Sequence, residues 1–287
     1  MKRYLLILGL LTFCSVNSNA QFYEMGFGVG GTQYSGDLDA PDFNTNLKQT
    51  QFAFNIFLKY NINQRFGIRA SYMRGKIQAS DSNSSALWQL RRNLSFSSNI
   101  NEFAGVVEIN AFKFDPYDDR TSFVTPYVFG GLAVFKFNPT TEYLGQTVNL
   151  QPLGTEGQGL PGYDEKYSLT QLSIPFGGGI KMRLSEKMIL GFEIGGRKTF
   201  TDYLDDLSGF YPDYDIIRAG NGELAAALSN RKGEYINPDL NNPTAPGDVR
   251  GKASIKDYYL TGMVNFSYRF DNLFSFSGNQ GVGCPTF

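Results

Sequence analysis

Residues 256–270 read KDYYLTGMVNFSYRF and alternate bulky apolar side chains with small or polar ones. This period of two is typical of a β-strand with two different faces. The segment is longer than most strands of soluble sheets, whereas about 9 to 11 tilted residues suffice to cross a bilayer. We therefore predict a membrane-crossing strand. Its apolar face consists of Tyr258, Leu260, Val264, Phe266, Tyr268 and Phe270.

Seven further segments show the same alternation, and none offers the run of about 18 apolar residues that a transmembrane helix needs. Strands are predicted at about residues 22–32, 51–62, 65–74, 100–110, 124–137, 169–184 and 187–200. In the segment 124–137, the apolar face is assigned to Tyr127, Phe129, Ala133, Phe135 and Phe137, with Lys136 on the opposite face. The chain is thus expected to cross a membrane with eight strands.

The polar faces of these strands carry charges that would make a poor soluble core. The apolar faces are therefore expected to meet lipid, and because lipid tolerates no open sheet edge, the sheet must close. The predicted fold class is all-β, a closed eight-stranded antiparallel transmembrane β-barrel over residues 21–270. A soluble β-sandwich is the alternative. The charges assigned to the interior are Glu24, Lys59, Arg69, Glu102, Glu108, Lys136, Lys181, Glu193 and Arg197.

An eight-stranded barrel is only wide enough inside for its own side chains. We therefore interpret the interior charges as a paired plug, with a proton or ion path as the alternative.

The connections between the predicted strands alternate in length. Short ones at residues 62–64, 112–123 and 185–186 separate long ones at 33–50, 75–99, 138–168 and 201–255. Outer-membrane barrels have short periplasmic turns and long external loops. This pattern predicts an outer-membrane protein, in contact with membrane lipids, with both termini in the periplasm. Within the fourth long loop, residues 221–228 predict a short helix capped by Asn221.

The composition excludes several classes of function. The 287 residues include no histidine, which excludes His-dependent hydrolases and His-ligated metals. A formal net charge of −1 gives no basic field for nucleic acid. The fourth loop offers carboxylates to calcium but lacks EF-hand spacing, and no nucleophile–base pair is recognisable. Those carboxylates are Asp202, Asp205, Asp206, Asp213 and Asp215. We expect no enzyme, no cofactor and no metal site.

The N-terminus has the pattern of a secretory signal peptide over residues 1–20. Lys2 and Arg3 precede a short Leu-rich stretch, and Ser18-Asn19-Ala20 offers small residues for cleavage. One cysteine, Cys284, then remains, in a predicted periplasmic C-terminal tail at residues 271–287. An unpaired cysteine in an oxidising compartment indicates an intermolecular disulfide with a partner, or a free thiol.

Three segments carry recognisable motifs: GGTQYSGDL at residues 30–38, TFTDYLDDLSGFY at 199–211 and CPTF at 284–287. They are similar to the GG-x-x-Y-x-GD-L, TDYLDD-x-S-x-x-Y and CP-x-F motifs of a Bacteroidetes outer-membrane β-barrel family that includes PorG of the type IX secretion system. The resemblance implies a non-enzymatic barrel that anchors or organises the secretion and gliding complex by binding a periplasmic ring lipoprotein. The motif residues of interest are Tyr34, Gly36, Asp37, Asp202, Tyr203, Leu204, Asp205 and Asp206.

Two questions stay open from the sequence. The acidic motif either binds a partner or caps the base of the fourth loop, where it could pair with Arg197 and Lys198. The alternative to the secretion role is a surface receptor or adhesin-like barrel that binds a ligand through its external loops.

Overall fold

The computed structural model describes residues 22–39, 43–236, 245–252 and 256–270. The expected signal peptide, the expected C-terminal tail and Cys284 lie outside the described residues.

Eight long strands form one closed antiparallel ring, as predicted. Each pairs with its neighbours along the ring, and the pairing of the first strand with the last, from Tyr23 opposite Phe270 to Ser35 opposite Tyr258, closes it. Their lengths run from 11 to 16 residues. The ring strands are β1 (Phe22–Ser35), β2 (Gln51–Asn61), β3 (Phe66–Ser80), β4 (Ser95–Asn110), β5 (Val124–Lys136), β8 (Thr170–Arg183), β9 (Met188–Thr199) and β10 (Tyr258–Phe270).

The outer surface of the barrel is apolar and the charged side chains point inward. Phe103 and Ile194, for example, are 66% and 74% exposed, whereas Glu24 and Glu102 are 1% exposed. This polarity suits an outside that meets hydrocarbon and an inside that does not. The β-sandwich alternative is therefore wrong.

The predicted orientation of β5 is wrong. Tyr127, Phe129, Ala133, Phe135 and Phe137 are buried inside the barrel. Both faces of this strand are apolar, so alternation alone did not distinguish them. Glycines of β8 leave space inside the barrel for these side chains, since a Cβ on Gly177 would lie 2.8 Å from the ring of Phe129. The outward set is Val124, Val128, Leu132, Val134 and the exposed Lys136, which is not an interior charge.

The two ends of the barrel differ. One end, which we call the short-turn end, carries the connections β2–β3, β4–β5 and β8–β9. The first residue of β1, Phe22, and the last residue of β10, Phe270, also lie at this end. Residues 112–123 cover it, where Asp115 accepts a hydrogen bond from Arg269. The Arg269 guanidinium lies 4.1 Å from the ring centre of Phe22 and 4.4 Å from that of Tyr117.

At the other end, the long-loop end, the connections fold into additional structure. β3 and β4 extend further than predicted, so the expected loop at 75–99 shrinks to residues 81–94. A β6–β7 hairpin (Pro139–Tyr143 and Gln146–Asn149) pairs with β4 at Ser97 and Ser98. Short helices complete this end: α1 (Phe43–Lys48), a 3-10 turn (Asp81–Asn83), α2 (Leu87–Arg92), α3 (Tyr214–Gly220), α4 (Glu223–Ser229) and α5 (Lys232–Ile236).

The helix predicted at residues 221–228 corresponds to α4, but its cap differs. Gly222 precedes α4, whereas Asn221 ends α3 and its backbone N–H donates to the Ile217 carbonyl. In the described part of the chain, no helix is long and apolar enough to cross a membrane.

An apolar core that no sequence pattern indicated lies at the long-loop end. Buried side chains from the upper parts of the strands pack there against Leu204, Leu207 and Leu228 of the fourth loop. The barrel interior thus has a charged lower section, toward the short-turn end, and an apolar upper section beneath the loops. The strand residues of this core include Tyr34, Met73, Ile77, Phe96, Ile100, Phe135 and Tyr259.

Candidate functional site

The charged lower section of the barrel centres on Glu108. Its carboxylate lies 3.1 Å from the Lys59 ammonium, accepts a hydrogen bond from Lys181 and lies 3.9 Å from the Arg69 guanidinium. Lys59 also lies 2.9 Å from Glu24. One carboxylate therefore serves three cations from three different strands.

Two smaller groups complete this interior network. Arg69 lies 2.6 Å from Glu193, which also accepts a hydrogen bond of 2.8 Å from the Tyr127 hydroxyl. Arg197 lies 3.2 Å from Glu102, which accepts 2.5 Å from Tyr259. Of the nine charges assigned to the interior, the structure brings together all but Lys136. Every carboxylate in the network faces a cation, an arrangement that favours a structural plug over an ion path.

The two motifs within the described residues meet at the long-loop end, although they are far apart in sequence. The Tyr34 hydroxyl lies 2.6 Å from Asp205 Oδ2 and 3.0 Å from Asp257 Oδ1. The other Asp257 oxygen accepts the Leu204 backbone N–H at 2.9 Å. Asp205 begins the fourth loop and Asp257 ends it. One tyrosine of β1 therefore contacts both ends of this loop and holds them together.

The first motif has a steric explanation. A Cβ on Gly36 would lie 2.1 Å from both Asp257 Oδ1 and the Tyr34 hydroxyl, so a side chain there would displace this contact. The next motif residue, Asp37, accepts the Lys252 backbone N–H at 2.7 Å and thereby holds the returning end of the fourth loop.

Asp206 connects the third and fourth long loops. Its carboxylate accepts hydrogen bonds from the hydroxyls of Thr155, at 2.5 Å, and Tyr167, at 2.6 Å. The Tyr167 ring stacks on Tyr203 with 4.6 Å between ring centres. The remaining acidic motif residue, Asp202, is buried and accepts the Ser208 hydroxyl at 2.8 Å. The alternative pairing of these acids with Arg197 and Lys198 does not form among the described residues, since Arg197 binds Glu102 and Lys198 is exposed on β9.

Two buried arginines that the sequence analysis did not single out tie the four long loops together. Arg250 donates to Glu156 and to the Asp206 carbonyl, both at 2.7 Å. Arg92 forms a bidentate ion pair with Asp81, at 2.7 and 2.8 Å, and also donates to the backbone carbonyls of Asp37 and Arg250. We call this assembly the cap. It consists of Tyr34, Asp37, Asp81, Arg92, Thr155, Glu156, Tyr167, Asp202, Asp205, Asp206, Arg250 and Asp257.

Burial in the cap raises the pKa of several carboxyl groups. It raises the pKa of Asp206 and Asp202 to about 6 each, the first in spite of Arg250. Burial also raises the pKa of Asp205 and Asp257 well above their usual range, and the charge of Asp205 adds to the effect on Asp257. The Tyr34 hydroxyl has a single proton and lies within hydrogen-bond distance of both carboxyl groups, so it can donate to only one of them at a time.

The cap is expected to loosen as pH rises from 3.8 through about 6. A raised carboxyl pKa means that the folded cap holds more protons than the unfolded loops between the ordinary value of 3.8 and the folded value near 6. The free energy of opening therefore falls as pH rises through that window. Hydrogen exchange of residues 201–209, corrected for intrinsic rates, should show less protection at pH 8 than at pH 5.

Asp257→Asn is the matched variant for this measurement. Its amide oxygen can still accept the Leu204 N–H, but the group no longer titrates. The pH dependence should shrink in the variant. Protection that stays constant or increases with pH in the unmodified chain would contradict the assignment.

The acids of the fourth loop do not converge on one point. Asp213 caps α3 by accepting the N–H groups of Asp215 and Ile216, and Asp215 lies 2.9 Å from Arg218. Within the described ranges, no group of three or more acidic or cysteine side chains could hold a metal ion.

The register and the inward charges define the protein class: a closed, eight-stranded antiparallel barrel with an apolar exterior and a loop cap. The chain belongs to the family described as Domain of unknown function (DUF6089), whose model matches residues 2–225. Among curated proteins, no sequence matches it.

The chain is also similar to several solved structures of bacterial proteins. Ail of Yersinia pestis, in complex with the heparin analogue sucrose octasulfate, is 10% identical, with 87% of this chain and 99% of that chain covered and a TM-score of 0.41. Neisserial surface protein A is 10% identical, with 87% of this chain and 97% of that chain covered and a TM-score of 0.42. The outer membrane protein OprG of Pseudomonas aeruginosa is 9% identical, with 89% of this chain and 98% of that chain covered and a TM-score of 0.38.

Proposed function

We propose that the protein is a non-enzymatic outer-membrane barrel that anchors or organises a type IX secretion and gliding complex by binding a periplasmic ring lipoprotein. The observation that carries the proposal is an interior filled with paired charges beneath a tied cap. Such an interior supports a role in binding at the surfaces of the barrel. The motif resemblance supports the choice of partner.

The partner contact is assigned to the short-turn end and to residues 271–287, on the periplasmic side together with both termini. The two internal motifs lie in the cap, where Leu204, Asp205 and Asp206 are fully buried. Those side chains hold the loops and are not offered to a partner. Cys284 remains the candidate for an intermolecular disulfide.

Capture of the intact protein in mild detergent, without reductant, tests this role. A periplasmic lipoprotein should co-purify, partly as a higher-mass adduct that reductant removes. Cys284→Ser should abolish the adduct, and deletion of residues 271–287 should lose the partner altogether. Recovery of no periplasmic protein, or full retention after the deletion, would refute the anchoring role.

A receptor or adhesin-like barrel is the second candidate. It is favoured by apolar side chains on the loops that point to solvent, such as Trp88, 61% exposed, and Phe210, 63% exposed. Binding of this kind would survive deletion of the tail and would be lost in a Trp88→Ala or Phe210→Ala variant.

A further inference from the structure

A row of polar side chains crosses three strands on the outer face near the long-loop end. Arg74 of β3 lies opposite Asn101 of β4, which lies opposite Lys136 of β5. Arg74 and Lys136 are exposed, and among the described residues neither has an ion pair or side-chain hydrogen bond. The two cations therefore stand two strands apart, on either side of Asn101, on a face of the barrel that is mostly apolar.

Directly below this row, toward the short-turn end, lies an aromatic one. Tyr72 is opposite Phe103, with 4.8 Å between their ring centres, and Phe103 is opposite Val134. The Tyr72 hydroxyl donates to Asn101 Oδ1 at 2.9 Å. This contact occupies the amide oxygen of Asn101 and leaves its NH₂ group able to donate elsewhere.

The third row down contains the smallest side chains. Ala70 lies opposite Gly105, between Leu58 on β2 and Leu132 on β5. A Cβ added to Gly105 would meet no atom within 4 Å, so the space outside it is open. Both residues line an open, almost wholly apolar depression of about 1230 Å³, which extends over β1, β2 and β10 and whose lining includes Tyr72 and Phe103.

We propose that these three rows bind one anionic lipid of the leaflet on the long-loop side. The lipid phosphate lies between Arg74 and Lys136 and accepts from the Asn101 amide, and an acyl chain follows the depression past Phe103 and Gly105. Two cations above an apolar notch complement a molecule with an anionic head and an apolar tail. The inference rests on the membrane position of the barrel and is independent of the ring partner.

The test uses the full chain in nonionic detergent and native mass spectrometry with two probes of equal acyl chains, phosphatidylglycerol and phosphatidylcholine. One phosphatidylglycerol should be retained preferentially. Arg74→Gln together with Lys136→Gln should weaken it roughly 25-fold, since each basic residue near a membrane surface contributes about fivefold. Gly105→Leu should weaken it with both cations intact, because the side chain fills the notch.

Lys198→Gln is the matched control. Lys198 is exposed on the outer face of β9 near the same end, but opposite the bulky Ile174 and Tyr258. Its loss should change binding less than twofold. All four substitutions lie on the outside, and a heat-dependent gel shift shows that each variant is folded.

Three results would overturn the inference. One is a loss of lipid binding in Lys198→Gln equal to the loss in the Arg74 and Lys136 double variant, which would indicate diffuse electrostatic attraction by any cation near this end. Another is equal retention of phosphatidylcholine. The last is displacement of the lipid by inorganic phosphate alone, which indicates an anion site. A chain that binds the lipid but captures no lipoprotein refutes the proposed function only, and a chain that does not insert into vesicles refutes the membrane position.

Discussion

Glu108→Gln is expected to lower the free energy of unfolding of the barrel by about 3–5 kcal/mol, the usual effect of removing one partner of a buried ion pair. Glu108 is 3% exposed and is the carboxylate nearest to Lys181, and it shares Lys59 with Glu24. The amide keeps the shape of the side chain but not its charge. Lys59 would then keep Glu24, whereas Lys181 would lose the carboxylate with which it is paired.

Reversible urea unfolding of the barrel in lipid vesicles measures this loss, and Glu186→Gln is its control. Glu186 is an exposed residue of the β8–β9 turn, and its substitution should change the unfolding free energy by less than about 0.5 kcal/mol. The double variant Glu108→Gln with Lys181→Met should recover part of the loss, because it removes the cation that has lost its partner. If Glu108→Gln unfolds at the same urea concentration as the unmodified barrel, the interior network does not stabilise the fold.

The strands and their closure could be predicted because lipid imposes a simple rule on each position. Where one face is apolar and the other polar, as in β10, alternation gives the strand, its orientation and the need for closure together. β5 shows the limit of this rule, since both of its faces are apolar. Its orientation follows from space provided by Gly177 and Gly179 of β8, a neighbour whose pairing is not written in β5 itself.

The cap could be predicted only in part. The motif resemblance drew attention to Tyr34 and Asp205, which are 171 positions apart and lie 2.6 Å apart in the structure. It gave no indication that they bind each other. Arg92, Arg250 and Asp257 belong to no periodic pattern, because loop residues find their partners through the path of several loops at once. A buried arginine in a loop has no sequence signal that separates it from a solvated one.

Arg250→Met is expected to open the cap while the strands stay folded. Arg250 is 2% exposed and donates to Glu156, to the Asp206 carbonyl and, at 3.1 Å, to the Ser229 carbonyl. Methionine fills a similar space but leaves the buried Glu156 carboxylate without its cation and the carbonyls of Asp206 and Ser229 without the Arg250 donor. The free energy of cap opening should fall by about 3–5 kcal/mol, and amide exchange in residues 201–209 should accelerate by about two to four orders of magnitude.

The exposed Arg218 provides the control, since its contact with Asp215 is half open to solvent and worth less than about 1 kcal/mol. Arg218→Met should leave exchange in the cap unchanged. Arg250→Met should also move the pH response, because Arg250 opposes the burial that raises the pKa of Asp206 to about 6. Without Arg250 that pKa rises further, so the protection of Asp206 and its neighbours should depend on pH at higher values than in the unmodified chain. Unchanged exchange in the cap, or loss of the barrel strands together with it, would show that the four loops are not held through Arg250.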